Sequence, residues 1–157
     1  MKFMKTVLLA SHGTEGARAA ELMAFKICEK GTRLHHLTIV PTLWQGMTGD
    51  DWLQNGSTRD TYRRYLESEL GKEIDAHCDK LSVEANAHEL TYTREIRVGE
   101  PEECLLEASR EDRFDLVIMG SPRPKGVPGL RCRMNTKPLT KSLNIPLLIV
   151  PFPHEQQ

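Results

Sequence analysis

The stretch Asp115-Leu116-Val117-Ile118-Met119-Gly120-Ser121 holds four consecutive apolar residues closed by Gly-Ser. An unbroken apolar run this short suits a parallel strand covered on both faces. Thr6-Val7-Leu8-Leu9-Ala10 is a run of the same kind. It is followed by Gly13 and Thr14, then by Ala17, Ala20, Met23, Ala24 and Ile27 at helical spacing, with Gly31 as a natural stop. Strands of this type belong in the middle of a sheet, and the remaining elements are arranged around them.

Residues 34–40 form the next strand, ended by Pro41. Residues 42–57 contain Trp44, Met47 and Trp52 without any period and read as an irregular excursion whose aromatics pin it to the core. From Thr58, an apolar stripe through Tyr62, Leu66, Leu70, Ile74, Cys78, Leu81 and Ala85 predicts a long helix. Leu90, Tyr92, Ile96 and Val98 alternate with polar residues, Arg94 being the exception, which predicts an edge strand with one wet face. Pro101 sits at the start of another helix, with Glu100, Glu102 and Glu103 at the positive end of its dipole. After the strand 116–119, residues 121–135 are rich in Pro and Gly and form a loop. A short helix from about Thr136 carries Leu139 and Leu143, and residues 145–150 form the last strand.

Strand and helix thus alternate along the chain, which predicts one α/β domain over residues 1–157. It is a three-layer, flavodoxin-like sandwich on a five-stranded parallel sheet. With the unbroken strands central and the alternating strand at an edge, the sheet order is 3-2-1-4-5. Ligands in such sheets lie beyond the carboxyl ends of the strands, where the winding reverses, here between the first and fourth strands.

Composition narrows the function. The 157 residues include 21 Lys plus Arg and 22 Asp plus Glu, for a net charge of -1, which excludes a polycationic nucleic-acid binder. No apolar run exceeds four residues, against about 20 for a membrane span, and the first ten residues do not read as a signal peptide. Cys28, Cys78, Cys104 and Cys132 lack the clustering of a zinc site and read as free thiols in a reducing cytoplasm. Cys132, between Arg131 and Arg133, is the one candidate for a reactive thiolate. His35 and His36 point to opposite faces of their strand, and His77 and His88 are about three helical turns apart, so neither pair shares an ion and no metal site is expected.

The block Asp115–Ser121, the helix after Thr136 and Ile145-Pro-Leu-Leu-Ile-Val150 together resemble the universal stress protein family. Ala10-Ser-His-Gly-Thr-Glu15 and Val98-Gly-Glu-Pro101 support the resemblance, which covers nearly the whole chain. It implies a small cytoplasmic protein, usually homodimeric, expressed under stress. The residues show no nucleophile-base-orienter set, so the chain is expected to act by binding, through protein partners, and not by catalysis. Some members bind ATP. Their pattern resembles Gly-x-x-Gly, nine residues, then Gly and Ser or Thr. Registered on Gly120, its second and third glycines fall on Arg123 and Arg133, its hydroxyl on Met134, and the usual Asp after the first strand on His12. Val40, Gly126 and Thr136 are compatible flanking positions, and Gly13 lies with His12 among the crevice residues 11–15 after the first strand.

Glycine lets backbone N–H groups curl around phosphate, and a β-carbon at two of these places removes that freedom. A standard ATP cradle is therefore not expected. The segment 121–137 nevertheless carries Arg123, Lys125, Arg131, Arg133 and Lys137 with no acid. Guanidinium forks there offer a second way to hold the phosphate of ATP or AMP. A third reading centres on His12, as a phosphohistidine carrier or a chelatase-like enzyme, but no motif supplies the orienting carboxylate or second ligand histidine that it needs. The last strand is apolar on both faces through Ile145, Leu147, Leu148, Ile149 and Val150. At a sheet edge this predicts pairing with a second copy.

Overall fold

Apolar residues at positions 7–9 and 117–119 leave no face of these two strands that water can cover, so both must sit inside the sheet. The computed structural model describes residues 4–11, 15–40, 69–121 and 136–151. It contains β1 (Thr6–Ala10), α1 (Glu15–Ile27), β2 (Arg33–Val40), α2 (Glu69–Ala87), β3 (Thr91–Val98), α3 (Pro101–Glu111), β4 (Leu116–Gly120), α4 (Thr136–Ser142) and β5 (Leu147–Val150). The five strands form one parallel sheet in the order β3-β2-β1-β4-β5, as the sequence predicts. The Trp-bearing excursion, the first part of the predicted long helix and the loop with Cys132 lie outside the described residues.

Alternation along β1 divides the core into two layers. Val7 and Leu9 meet Ala20, Ala24 and Phe25 of α1 and Leu81 and Ala85 of α2. Leu8 faces the other way, against Leu105 and Ala108 of α3 and Leu139 of α4. A third cluster, of Val40, Ile74 and Cys78 with Ile96 and Val98, extends the α2 layer toward the carboxyl ends of β2 and β3.

Two local readings change in three dimensions. Gly31 does not stop α1, which ends at Ile27; it forms the turn into β2 at φ 88°, its N–H donating to Glu89 O (2.9 Å). The polar face of β3 is not bare to water. His35 Nε2–H donates to Glu95 Oε1 (2.9 Å), Arg97 Nε–H to Glu95 Oε2 (2.6 Å), and Arg97 reaches Glu111 of α3. The exceptional Arg94, on the apolar side, reaches out to Asp79 (3.2 Å) and Asp75 (3.6 Å) on α2. A long cation can lie over an apolar layer in this way and keep its head in solvent.

The carboxyl ends of the strands are tied together. Ser11 N–H donates to Leu37 O (3.1 Å), Gly99 N–H to Val40 O (2.9 Å) and Ser121 N–H to Val150 O (2.8 Å). Gly99 has φ 153°, and a β-carbon there would lie 3.1 Å from Cys104 Sγ. Gly99→Ala therefore combines backbone strain with a clash and lowers stability by about 1–3 kcal/mol, measured by urea denaturation at neutral pH.

Candidate functional site

Glu21 occupies a position of α1 between Ala17 and Ala24, on the stripe that faces the sheet, and it is 0% exposed. A carboxylate there must be fully hydrogen-bonded, because an unpaired buried charge is costly. Donors come from three elements. Ser11, at the tip of β1, donates its hydroxyl to Glu21 Oε2 in a short contact. His77 of α2 donates Nε2–H to the same oxygen (2.7 Å). Arg18, one helical turn before Glu21, donates to Oε1 (3.0 Å). Arg18 also forks onto Glu84 of α2 with contacts of 2.8 and 2.6 Å, so α1 and α2 are joined through the same carboxylate system.

Beside this group lies His36 of β2, also 0% exposed. Its Nε2–H donates to the Ser11 carbonyl (3.1 Å), which also takes a bond from the Thr38 hydroxyl (3.3 Å). Because a carbonyl can only accept, the proton sits on Nε2, and Nδ1 accepts from Tyr92 O–H of β3 (2.6 Å). Cys78 Sγ lies 3.8 Å from the same nitrogen. The His36 and His77 rings meet edge-on with centroids 6.0 Å apart.

The environment sets the charges. Burial would push the Glu21 carboxyl up. The hydrogen bonds from His77 and Ser11, the attraction of His77 and the bond from Arg18 together outweigh it and hold the group below its ordinary value. Burial pushes His36 down to about 4, against the opposing pull of Glu21, so its ring is neutral at physiological pH. Burial also raises the Tyr92 phenol, which keeps its proton available to His36. Cys28 and Cys104 are each pushed up to about 11 by burial, which makes them poor nucleophiles.

Among the described residues, Glu21, His36 and His77 each present one ligating atom, all within 4.8 Å of one another. The expectation of no metal-ligand set rested on histidines close in sequence, and those pairs are indeed separate: His35 faces Phe114 on the other side of the sheet, with ring centroids 5.7 Å apart, and His88 stacks on Phe25 at 4.9 Å. The convergence of His36 with His77 crosses two elements, and no local spacing reveals it. An acid on the apolar stripe of α1 and a histidine beside the stripe of α2 are the signals that the sequence does carry.

The crevice residues divide differently. Gly120 ends β4, paired with Val150. Val40 ends β2 with its side chain committed to the core against Ile74 and Cys78, so only its backbone borders the crevice. Thr136 opens α4. His12, Gly13, Arg123, Gly126, Arg133 and Met134 lie outside the described residues. Ser11, which the sequence places at the rim of the crevice, joins the carboxyl end of β1 to the buried network.

His36 and Glu21 predict distinct steps in acid unfolding. Between pH 6.5 and about 4 the unfolded chain takes up a proton that folded His36 refuses, so stability falls as the pH drops through that window. The slope reaches about 1.4 kcal/mol per pH unit. His36→Gln removes this slope, read by urea denaturation at stepped pH. The Glu21 contribution is present above the ordinary carboxylate pKa and is lost only as the pH falls through its depressed native value. Glu21→Gln at pH 7 costs about 3 kcal/mol, because it strands partly buried donors.

The chain matches the universal stress protein family over residues 4–151. A search of the curated proteins finds no match. Among solved structures it is similar to hypothetical protein MJ0577, with TM-score 0.73 and 17% identity over 96% of this chain and 98% of that one. It is also similar to the universal stress protein UspA of Lactobacillus plantarum, with TM-score 0.67 and 16% identity over 96% and 99% of the two chains. An Arabidopsis thaliana universal stress protein family protein with AMP bound gives TM-score 0.61 and 12% identity over 94% and 91%. The sheet order, the strand-end motifs and the family match over nearly its full length agree, and the chain belongs to the universal stress protein family.

Proposed function

We propose that this protein is a stress-response protein that acts by binding, and that its crevice takes an adenine nucleotide through arginine side chains in place of a glycine cradle. The observation that carries the reading is the reversal of winding between β1 and β4, whose carboxyl ends at Ser11 and Gly120 lie side by side. Ligands of doubly wound sheets bind at such a point. The acid-free segment with Arg123 and Arg133 follows directly from Gly120 and supplies positive charge for a phosphate. The AMP bound to the Arabidopsis relative supports the choice of an adenine nucleotide.

The buried network would serve this crevice as its foundation. Ser11 is held through its N–H, its carbonyl and its hydroxyl, so the chain leaves β1 from a fixed point. A working place in the cytoplasm is part of the same proposal; among the described residues no helix is long and apolar enough to cross a membrane.

Thermal-shift and calorimetric titration with AMP and ATP test the ligand. Binding stabilises the fold by about 2.7 kcal/mol at a hundredfold excess over Kd. Arg123→Ala with Arg133→Ala abolishes the gain. No shift with either nucleotide overturns this reading in favour of a protein that works through protein partners alone.

A second reading concerns association. Among the described residues β5 hydrogen-bonds to β4 on one side only, and Ile149 on it is 36% exposed, with Leu147 and Leu148 half-buried. Pairing of this edge with a second copy would cover it and give a two-fold homodimer. Light scattering at micromolar concentration is expected to give twice the 17.8 kDa chain mass, and a single-chain mass refutes the dimer.

A further inference from the structure

We propose that Glu21, His36 and His77 form a binding site for a divalent transition-metal cation of the zinc class, set beneath the tip of β1. The proposal does not depend on the nucleotide reading. The donors come from α1, β2 and α2, so their mutual placement is set by packing of the core. Their ligating atoms lie within 4.8 Å of one another. Donors ~2.0–2.2 Å from one tetrahedral ion lie ~3.3 Å apart, so the His77 Nε2–Glu21 Oε2 pair, now 2.7 Å apart, opens slightly to admit the ion while the wider-spaced donors close on it. Two imidazoles with one carboxylate select zinc-like ions over magnesium or calcium, which prefer oxygen ligands throughout.

The surroundings have the features of a metal site. Glu21 and His36 are fully enclosed, whereas the His77 side chain is 23% exposed, which leaves one side open for entry and for a water as fourth ligand. Arg18 holds Glu21 Oε1 and Ser11 holds Oε2, the oxygen that faces His77, so the carboxylate is oriented by both. If His36 ligates through Nε2, its proton moves to Nδ1, which then donates to Tyr92 Oη, the outer partner that metal-bound histidines require. At His77 the cation replaces the proton that now bridges Nε2 and Glu21 Oε2 at 2.7 Å, and that proton moves to Nδ1 of the same ring. The hydrogen bond from His36 to the Ser11 carbonyl is exchanged for a metal bond, while Thr38 still donates to that carbonyl. A bound ion would lock α1, β2 and α2 together directly below Ser11 at the end of β1.

The test uses the full chain stripped with chelator and titrated with Co(II), followed by visible absorption, and with Zn(II), followed by thermal shift. The proposal expects one Co(II) per chain with ligand-field bands in the visible, displacement by Zn(II), and a rise in Tm with Zn(II). His77→Ala, whose partly exposed position lets the fold survive, weakens Co(II) affinity more than ~10-fold, and Tyr92→Phe weakens it by ~10-fold through loss of the outer partner. Circular dichroism verifies that both variants are folded. Absence of a Co(II) spectrum in the unmodified chain overturns the proposal. Equal affinity in the folded His77→Ala variant also overturns it, because the ion then sits elsewhere.

Discussion

Strand β1 has hydrogen-bonded neighbours on both sides and helices over both faces, and every other feature of the molecule follows from that enclosure. Val7, Leu8 and Leu9 are each 0% exposed, so the chain can present polar groups here only where β1 ends. The backbone of a central parallel strand is fully used by its ladder until its last residue. Ser11 is that last point. It lies between the crevice above and the network of Glu21, His36 and His77 below.

The network illustrates how a protein keeps a charge in its core. Glu21 has lost its water, and three donors replace it. One of these, Arg18, is partly solvated and shared with Glu84. An ion pair of this kind adds little net stability compared with an apolar replacement, yet breaking it is costly. Its effect is on geometry: it couples the tilt of α1 to α2 and holds the end of β1 in one place.

Much of the architecture was legible beforehand because its causes are local. Four-residue apolar runs identify the buried strands, and alternation from Leu90 to Val98 identifies the edge strand. Pro101 at the start of α3 is likewise readable from one residue and its neighbours. The reversal of winding between β1 and β4 was legible through the order of the strands, but what covers each strand end was not. Val40 shows why: it stands at the carboxyl end of β2, yet its side chain is taken into the core by α2. Spacing along a strand reports which face a residue takes and not what covers that face.

The amino-acid order by itself determined the alternation of strand and helix, the parallel sheet, the order of its strands and the family. These rest on periodicity and on short motifs, which act over a few residues. Only the tertiary structure decided that Glu21, His36 and His77, with Ser11, Arg18 and Tyr92, share one buried polar centre. Residues 11 and 92 lie at its extremes along the chain, and no periodicity links them. Their meeting is produced by the packing of two helices on one face of the sheet, a constraint in which the burial of apolar stripes brings polar partners together.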